Sequence, residues 1–264
     1  MDTVTQRYDI SVSRACRLIG LSRRVYTYQC QPKDDSPIKT ILLALAQRHV
    51  RWGFDKMLKR IRQLGHRWNH KRVHRVYCEL KLNLRKKPKK RLPSRDPVAL
   101  AQPAETNDTW SLDFMSDALD DGRRFRTLNI IDDYNREALH IDVSFSIPAS
   151  RVIGVLEHLM SIRGKPKALR MDNGPEFLAL QFQRWAKQRS IELKYIQPGK
   201  PAQNAYIERF NRTYREDILD AYLFRSLNEV IRLTDRWMVL YNEERPHQAL
   251  NDLTPLQYLQ QQVA

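Results

Sequence analysis

The 264 residues are 42% hydrophobic and 29% charged, with 8 glycines and 13 prolines, which excludes collagen-like and low-complexity chains and argues against wholesale disorder. The longest apolar run, residues 41–46, is too short for a membrane helix, and the polar first residues lack a signal-peptide core, so we expect a cytoplasmic protein. Residues 1–104 carry 25 basic and 7 acidic side chains, a net charge of +18 that indicates binding to a polyanion such as DNA.

Residues 11–28 read as two short helices separated at Gly20, a pattern typical of a helix-turn-helix that would end near residue 35. A serine precedes each helix as its N-cap: Ser11 or Ser13 for the first, and Ser22 for the second. The second helix would present Arg23 and Arg24 to DNA, although an ordinary helical hairpin has the same pattern. Three apolar side chains are expected to fill the small core: Ala15, Leu18 and Val25.

Residues 36–95 predict a second small DNA-binding module, helical or winged-helix-like, with a basic tail. An apolar helix runs to about residue 49, a second covers 54–64, and a third begins after Asn69 as its N-cap. Three basic residues of the third helix are candidate DNA contacts: Lys71, Arg72 and Arg75. Seven lysines and arginines in residues 84–95 suit no packed core, and we expect them to follow a phosphate backbone before a linker at 96–104.

Histidines and a cysteine recur at every fourth position of this module, at His66, His70, His74 and Cys78. The spacing places side chains on one helix face, as in some zinc sites. The N-cap at Asn69 nevertheless puts His66 outside the helix, and ligands on successive turns would span about 12 Å at 1.5 Å per residue. We therefore expect these histidines to pack against neighbours or contact phosphate and not to bind metal.

The second half alternates strand and helix patterns. Residues 109–119, 125–135 and 138–146 predict three strands joined as an antiparallel meander, and residues 167–174 and 191–199 predict two more strands, each followed by a helix. The order βββαβαβα predicts an α/β fold with a mixed five-stranded sheet and helices on its faces. We expect this domain to cover residues 105–225, with a helical extension at 226–264.

Three carboxylates of this domain are candidate catalytic and metal-binding residues: Asp113, Asp172 and Glu208. Asp113 lies inside the first strand, Asp172 ends the fourth, and Glu208 lies on the helix after the fifth. If the first and fourth strands are adjacent, the three meet at one edge, where hard oxygen ligands hold divalent ions. Taken singly, they could be a solvent-side strand residue, a turn residue and a helix ion-pair partner. Asp132 and Asp133 are interpreted as turn residues.

At these residues the chain resembles DDE transposases with a retroviral-integrase-like core, and in particular the second-frame (orfB-type) proteins of the bacterial insertion sequence three family. The resemblance covers nearly the whole chain. It rests on the 35 residues between Asp172 and Glu208 and on the motifs NHKRVHRVY, DNGPEF, NAYIERFNRTYRED and YNEERPHQALNDLTPLQYL.

The resemblance implies a ribonuclease-H-like fold and two Mg²⁺ or Mn²⁺ ions bound by Asp113, Asp172 and Glu208. It implies that Arg215, seven residues after the glutamate, contacts transposon-end DNA. It also implies double-stranded DNA as partner, at transposon ends and target, and a homo-oligomer on that DNA. Family members are often made as fusions with an upstream-frame partner that supplies a leucine zipper, whereas this chain has no sustained heptad repeat.

The function expected from these observations is transposition: metal-dependent cleavage of one DNA strand, followed by attack of the freed 3′-hydroxyl on another phosphodiester. Two alternatives stay open. One is a transposase-derived DNA-binding regulator with an inactive core. The other is a ribonuclease-H-like junction nuclease, which cuts without joining.

Overall fold

The N-terminal residues form three short helices. The structure is a computed structural model that describes residues 2–29, 34–84, 100, 102–197 and 201–263, and its contacts define two units, residues 1–40 and 41–264. The helices of the first unit are α1 (Asp2–Tyr8), α2 (Val12–Ile19) and α3 (Arg23–Tyr26). The hydroxyl of Ser11 caps α2, that of Ser22 caps α3, and Gly20 ends α2 with a φ of 70°, as predicted.

The predicted core of this first unit is wrong at two of its three positions. Ala15 is fully buried beside Cys16, but Leu18 and Val25 are 71% and 61% exposed. Helix α3 ends after a single turn, so within the described part of this unit neither side chain meets an opposing apolar surface. A small apolar pair on α2 thus replaces the larger core expected from the spacing.

Three helices follow: α4 (Ser36–Arg48), α5 (Phe54–Gln63) and α6 (His70–Glu79). The side chain of Asn69 accepts a hydrogen bond of 2.8 Å from the Lys71 N–H and caps α6, as predicted. Residues 34–84 contain helices as their only regular elements, so no wing lies within this described stretch. The predicted basic tail and linker lie outside the described residues, apart from residues 84, 100 and 102–104.

Aromatic side chains surround the histidines of this module. The ring of His66 stacks on Trp68, with centroids 4.4 Å apart, and His70 and His74 approach Phe54 edge-on at 5.4 and 4.7 Å. The Cys78 thiol lies 3.9 Å from the His74 ring nitrogens. His70 and His74 thus pack on Phe54, the first residue of α5.

Apolar alternation in the second half produces a mixed five-stranded sheet of order β3-β2-β1-β4-β5. The strands are β1 (Thr109–Ala118), β2 (Arg124–Asp132), β3 (Ala138–Ser144), β4 (Ala168–Met171) and β5 (Glu192–Tyr195). The first three form an antiparallel meander, and β4 pairs in parallel with β1 and β5. This confirms the α/β fold class with a mixed five-stranded sheet and its antiparallel meander, and it meets the condition that the first and fourth strands are adjacent.

Helices cover both faces of the sheet, because the buried strands present apolar side chains on both sides. One face, with Trp110 and Leu112 of β1, packs against α7 (Ala149–Arg163), α8 (Pro175–Leu178) and α9 (Leu180–Gln188). The other, with Met115 and Ile131, packs against α10 (Ala205–Tyr214) and α11 (Leu227–Glu243). A 3₁₀ turn, Pro201–Asn204, leads into α10, and a single π-helical turn, Arg215–Leu219, ends it.

The C-terminal segment covers the edge strand β3 and contacts the helices of residues 41–84. The Asn242 side chain on α11 accepts a hydrogen bond from the Ala138 N–H and donates one to the Ala138 carbonyl, both of 2.9 Å. It thus satisfies backbone groups of Ala138 at the edge of the sheet. After α11, a 3₁₀ turn (Gln248–Leu250) precedes α12 (Pro255–Val263). Glu244 contacts Arg48 at 2.6 Å and His49 at 3.2 Å.

No helix within the described ranges has both the length and the apolar character needed to span a membrane.

Candidate active site

Asp113 lies in the middle of β1 on the sheet face that α10 covers. Its Oδ1 accepts a hydrogen bond of 2.9 Å from the Phe114 N–H, and its Oδ2 accepts one of 2.7 Å from the side-chain amide of Asn211 on α10. Both carboxylate oxygens are therefore held by donors that belong to regular elements. The orientation of Asp113 depends on how α10 docks on the sheet.

A second asparagine, which sequence reasoning missed, holds the first in place. Asn129 is the direct partner of Asp113 across the β1–β2 pair and is fully buried. Its amide donates a hydrogen bond of 2.7 Å to the carbonyl oxygen of the Asn211 side chain, so a relay runs from Asn129 through Asn211 to Asp113. The sequence does contain a sign of this role, because Asn129 stands between apolar residues in FRTLNIID. A buried side-chain amide on a strand needs a hydrogen-bond partner.

Asp172 follows the last residue of β4, next to the strand that carries Asp113. Its Oδ1 accepts a hydrogen bond of 3.0 Å from the Gly174 N–H, which fixes the carboxylate in the turn that leads to α8. A Cβ on Gly174 would lie 3.0 Å from the same oxygen, closer than nearly all real Cβ contacts. A side chain at position 174 would therefore displace the Asp172 carboxylate by a few tenths of an ångström.

Glu208 belongs to the first turn of α10 and is exposed, while Ile207 and Phe210 beside it are buried against the sheet. Asn211 follows one turn later on the same helix. One helix therefore supplies both a candidate catalytic carboxylate and the amide that positions Asp113.

The electrostatics of Asp113 link the three carboxylates. Burial is the main cause that raises the pKa of Asp113 to about 6; the carboxylates of Asp172 and Glu208 also raise the pKa, and the hydrogen bonds from Phe114 and Asn211 lower it. Asp172 and Glu208 therefore both lie within electrostatic range of Asp113. A carboxyl perturbed by burial and by like charges is typical of a functional site.

The donor set fits a hard divalent cation. All the candidate ligand atoms are carboxylate oxygens, the type that Mg²⁺ and Mn²⁺ prefer, and a cation would neutralise the repulsion at Asp113. Across the described residues, however, no three His, Cys, Asp or Glu side chains converge closely enough to hold a metal ion. The hydrogen bonds described above hold both oxygens of Asp113 and Oδ1 of Asp172, and each of these oxygens keeps a lone pair for an ion.

The side chain of Arg215 contacts β1. Its Nη2 donates a hydrogen bond of 3.1 Å to the Ser116 carbonyl, and its Nη1 lies 3.5 Å from the Asp117 carboxylate. The π-helical turn begins at this residue, a local irregularity frequent at functional sites. Arg215 is still partly exposed, so the same guanidinium retains donors for a phosphate.

The other candidate DNA contacts lie on the two short helices predicted to carry them. Arg23 and Arg24 are exposed on α3. On α6, Lys71 is exposed, Arg72 is half-buried, and Arg75 lies 3.6 Å from Glu79 one turn further on. Neither helix contributes a side chain to the carboxylate cluster.

Of the two acids interpreted as turn residues, one has a different role. Asp132 accepts hydrogen bonds of 2.8 Å from the N–H groups of Asn107 and Tyr134, as a turn residue does. Asp133 is instead fully buried and forms an ion pair of 2.5 Å with Arg170 on β4. The partner comes from a distant strand, so the local pattern gave no sign of it.

Three domain families match the chain. Residues 103–201 and residues 189–255 each match an integrase core domain, and residues 33–91 match an HTH-like domain. The 31.7 kDa protein of insertion element IS407 from Burkholderia multivorans is 38% identical over 259 residues, which cover 98% of this chain and 94% of the relative. Transposase InsD of the IS2 elements of Escherichia coli is 26% identical over 74% of this chain and 67% of its own length.

Among solved structures, the magnesium complex of the HTLV-2 integrase catalytic core matches 58% of this chain and 95% of that one, at 18% identity and a TM-score of 0.47. The IS407 relative covers almost the whole sequence, and both integrase-core matches include residues of the strand-and-helix region that holds Asp113, Asp172 and Glu208. The chain therefore belongs to the family of insertion-element transposases, DDE-type polynucleotidyl transferases with an integrase-like catalytic core.

Proposed function

We propose that this chain cleaves DNA at insertion-sequence ends and joins the freed 3′-hydroxyl to a target strand, with Asp113, Asp172 and Glu208 as its catalytic residues. The observation that carries the proposal is the electrostatic coupling of three carboxylates from different elements beside a buried asparagine relay. Repulsion between carboxylates is a cost in a purely structural cluster, whereas a divalent cation bound between them would offset it.

The three carboxylates would hold two Mg²⁺ or Mn²⁺ ions. Such ions would lower the pKa of the attacking oxygen and stabilise the charge on the leaving oxygen of an in-line displacement. Asp113 would be a ligand set by β1 and the Asn211 amide, and Asp172 a ligand set by the Gly174 turn. Glu208 would complete the set from the exposed first turn of α10.

The protein's own residues prepare this site before an ion binds. The Asn129–Asn211 relay restricts the rotation of Asp113, and the apolar side chains beneath α10 fix the distance between that helix and the sheet. Hydrolysis at the transposon end and strand transfer both displace an oxygen at phosphorus in line. One set of ligands would therefore serve both steps.

DNA would be held mainly by the basic first half of the chain. Residues 1–35 would form the helix-turn-helix, residues 36–95 the second module with its basic tail, residues 96–104 the linker, 105–225 the catalytic core and 226–264 the extension. Exposed basic side chains on α3 and α6 support this assignment. The proposed contacts to transposon ends and target are Arg23, Arg24, Lys71, Arg72, Arg75 and Arg215.

We extend the proposal to assembly and location. Synapsis of two transposon ends needs at least two active sites, so the chain would act as a homo-oligomer on DNA, in the cytoplasm and on the nucleoid. An upstream-frame fusion partner would supply further contacts.

A strand-transfer assay tests the proposal. Purified wild type and Asp172→Ala are incubated with a labelled transposon-end duplex, a target duplex and Mg²⁺, and DNA binding is measured in parallel. Wild type should join the end to the target, whereas Asp172→Ala should bind the end with unchanged affinity and form no product. Cleavage without joining would indicate a junction nuclease, and binding without chemistry by the wild type would indicate a regulator. Equal joining by both proteins would exclude the proposed site.

A further inference from the structure

An open pocket of about 260 Å³ lies on the sheet beside the candidate active site. It is formed by the adjacent strands β4 and β5, the 3₁₀ turn before α10 and the chain at residue 100. Its described lining residues are Leu100, Arg170, Lys194, Tyr195, Ile196 and Gln203. The functional account given above uses none of them.

Two cations face this pocket. Arg170 and Lys194 are direct partners in the parallel β4–β5 register, and none of the six described lining residues is acidic. Glu192 contacts Lys194 at 3.2 Å, but it lies outside the lining and is 66% exposed, so the pairing is weak in water. Arg170 is paired with the buried Asp133, so the positive charge that the pocket offers to a ligand comes mainly from Lys194.

The guanidinium of Arg170 is fixed in position from behind. Its Nη1 donates to the buried carboxylate of Asp133, and its side chain is only 13% exposed. A guanidinium has five N–H donors, and this ion pair occupies one nitrogen, so donors remain for a second anion. Lys194 is 40% exposed, and its ion pair with Glu192 lies at the surface, unlike the buried ion pair of Arg170. A buried ion pair therefore does not explain the position of Lys194 at the pocket.

The position of the pocket favours a phosphate. Arg170 lies on β4, two residues before Asp172, and Gln203 belongs to the turn that leads into the ten-residue helix α10, five residues before Glu208. The N-terminus of α10 adds the partial positive charge of a helix end on this side. A DNA strand whose scissile phosphate lay at the three carboxylates would pass close to this pocket.

We propose that the Arg170–Lys194 pocket binds a backbone phosphate of the DNA strand that is cut, next to the scissile phosphate. The proposal rests on the function proposed above, because it assigns the substrate contact to the same site. A phosphodiester would fit between the fixed fork of Arg170 and the mobile ammonium of Lys194, and would set the register of the strand on the carboxylates.

The test measures binding of the full-length chain to a transposon-end duplex in EDTA, where no cleavage occurs, so that failure of the catalytic proposal does not affect it. Single neutral methylphosphonate linkages are stepped along the strand that is cut. Wild type should lose affinity at one linkage adjacent to the cleavage position, and Lys194→Ala should bind more weakly and be insensitive to that same linkage. The slope of log K against log salt should be smaller by about 0.9 for the variant, as for one lost phosphate contact.

Two variants serve as controls. Lys187→Ala removes an exposed lysine from α9 on the opposite face of the sheet and should retain the wild-type profile and slope. Lys194→Gln keeps the length of the side chain and should behave like Lys194→Ala, which excludes a packing effect.

Identical linkage profiles and salt slopes for wild type and both Lys194 variants would overturn the proposal. Inorganic phosphate provides the second arm of the experiment. If millimolar phosphate bound wild type but not Lys194→Ala, while the linkage profile of the duplex did not depend on Lys194, the pocket would be assigned to a free anion and not to the DNA backbone, which would also overturn it.

Discussion

The side-chain amide of Asn211 donates a hydrogen bond of 2.7 Å to Oδ2 of Asp113, and this contact joins α10 to the strand at the centre of the sheet. Asn211 in turn accepts from Asn129, the cross-strand neighbour of Asp113. The relay is a positioning device: neither asparagine is among the candidate ligands, yet together they restrict the orientation of one.

Asn211→Ala should reduce the rate of strand transfer by about 10–100-fold, the usual cost of removing a partner of a metal ligand. The apparent Mg²⁺ requirement should rise, because Asp113 would no longer be held in one orientation, whereas DNA affinity should not change. Thr213→Ala on the same helix is the matched control and should keep wild-type kinetics. Loss of rate at saturating Mg²⁺ with an unaltered Mg²⁺ dependence would contradict the positioning role.

Gly174→Ala should impair the reaction without unfolding the protein. The added Cβ would lie 3.0 Å from Oδ1 of Asp172 and push that carboxylate from its place, while the backbone φ of −61° suits alanine. Gly154→Ala provides the opposite case, because this exposed glycine in α7 has open space around it. It should raise the free energy of unfolding by about 1 kcal/mol and leave strand transfer unchanged. Comparable activity of both variants would contradict the proposed role of Asp172.

A pH-dependent stability should arise at the contact between the helical module and the C-terminal segment. Burial lowers the pKa of His49 from 6.5 to about 4, although its hydrogen bond to Glu244 acts in the opposite direction. The folded state thus favours the neutral ring, which stacks on Trp52 at 3.7 Å. As the pH falls below about 6.5, His49 binds a proton in the unfolded chain but not yet in the folded protein. Its contribution to the free energy of unfolding is therefore fully present above pH 6.5 and is lost as the pH falls toward 4.

Urea unfolding of wild type and His49→Gln at pH 7.5 and pH 5 measures this effect. The wild type should lose about 2 kcal/mol more than the variant between the two pH values, since one pKa unit corresponds to about 1.4 kcal/mol and the transition is incomplete at pH 5. His247, whose pKa burial lowers to about 3, remains in both proteins and cancels in the comparison. An equal loss in the two proteins would exclude His49 as the source.

Local patterns predicted the strands and the caps, because period-two alternation and Ser and Asn caps are short-range signals, whereas the adjacency of β1 and β4 was only a condition until the fold showed it. They failed where the deciding contact is long-range. Leu18 and Val25 were assigned to a core that the short α3 does not provide. The partner of Asp133 lies 37 residues away, on another strand.

The candidate site was predicted only as a set of acids. Spacing and motifs identified Asp113, Asp172 and Glu208, but Asn129 and the Arg170–Lys194 pocket depend on which side chains the sheet register brings together. A sequence pattern specifies the face of a strand, whereas contacts across strands require the fold.

The central claim is that the three carboxylates form one divalent-metal site. Its most direct test is the stoichiometry of Mn²⁺ bound to the chain in complex with transposon-end DNA, measured by electron paramagnetic resonance for wild type and for Asp113→Asn, Asp172→Asn and Glu208→Gln. We predict two ions per active site in the wild type and fewer in each variant, in parallel with the loss of strand transfer. Two ions bound with wild-type affinity by all three variants would contradict the account.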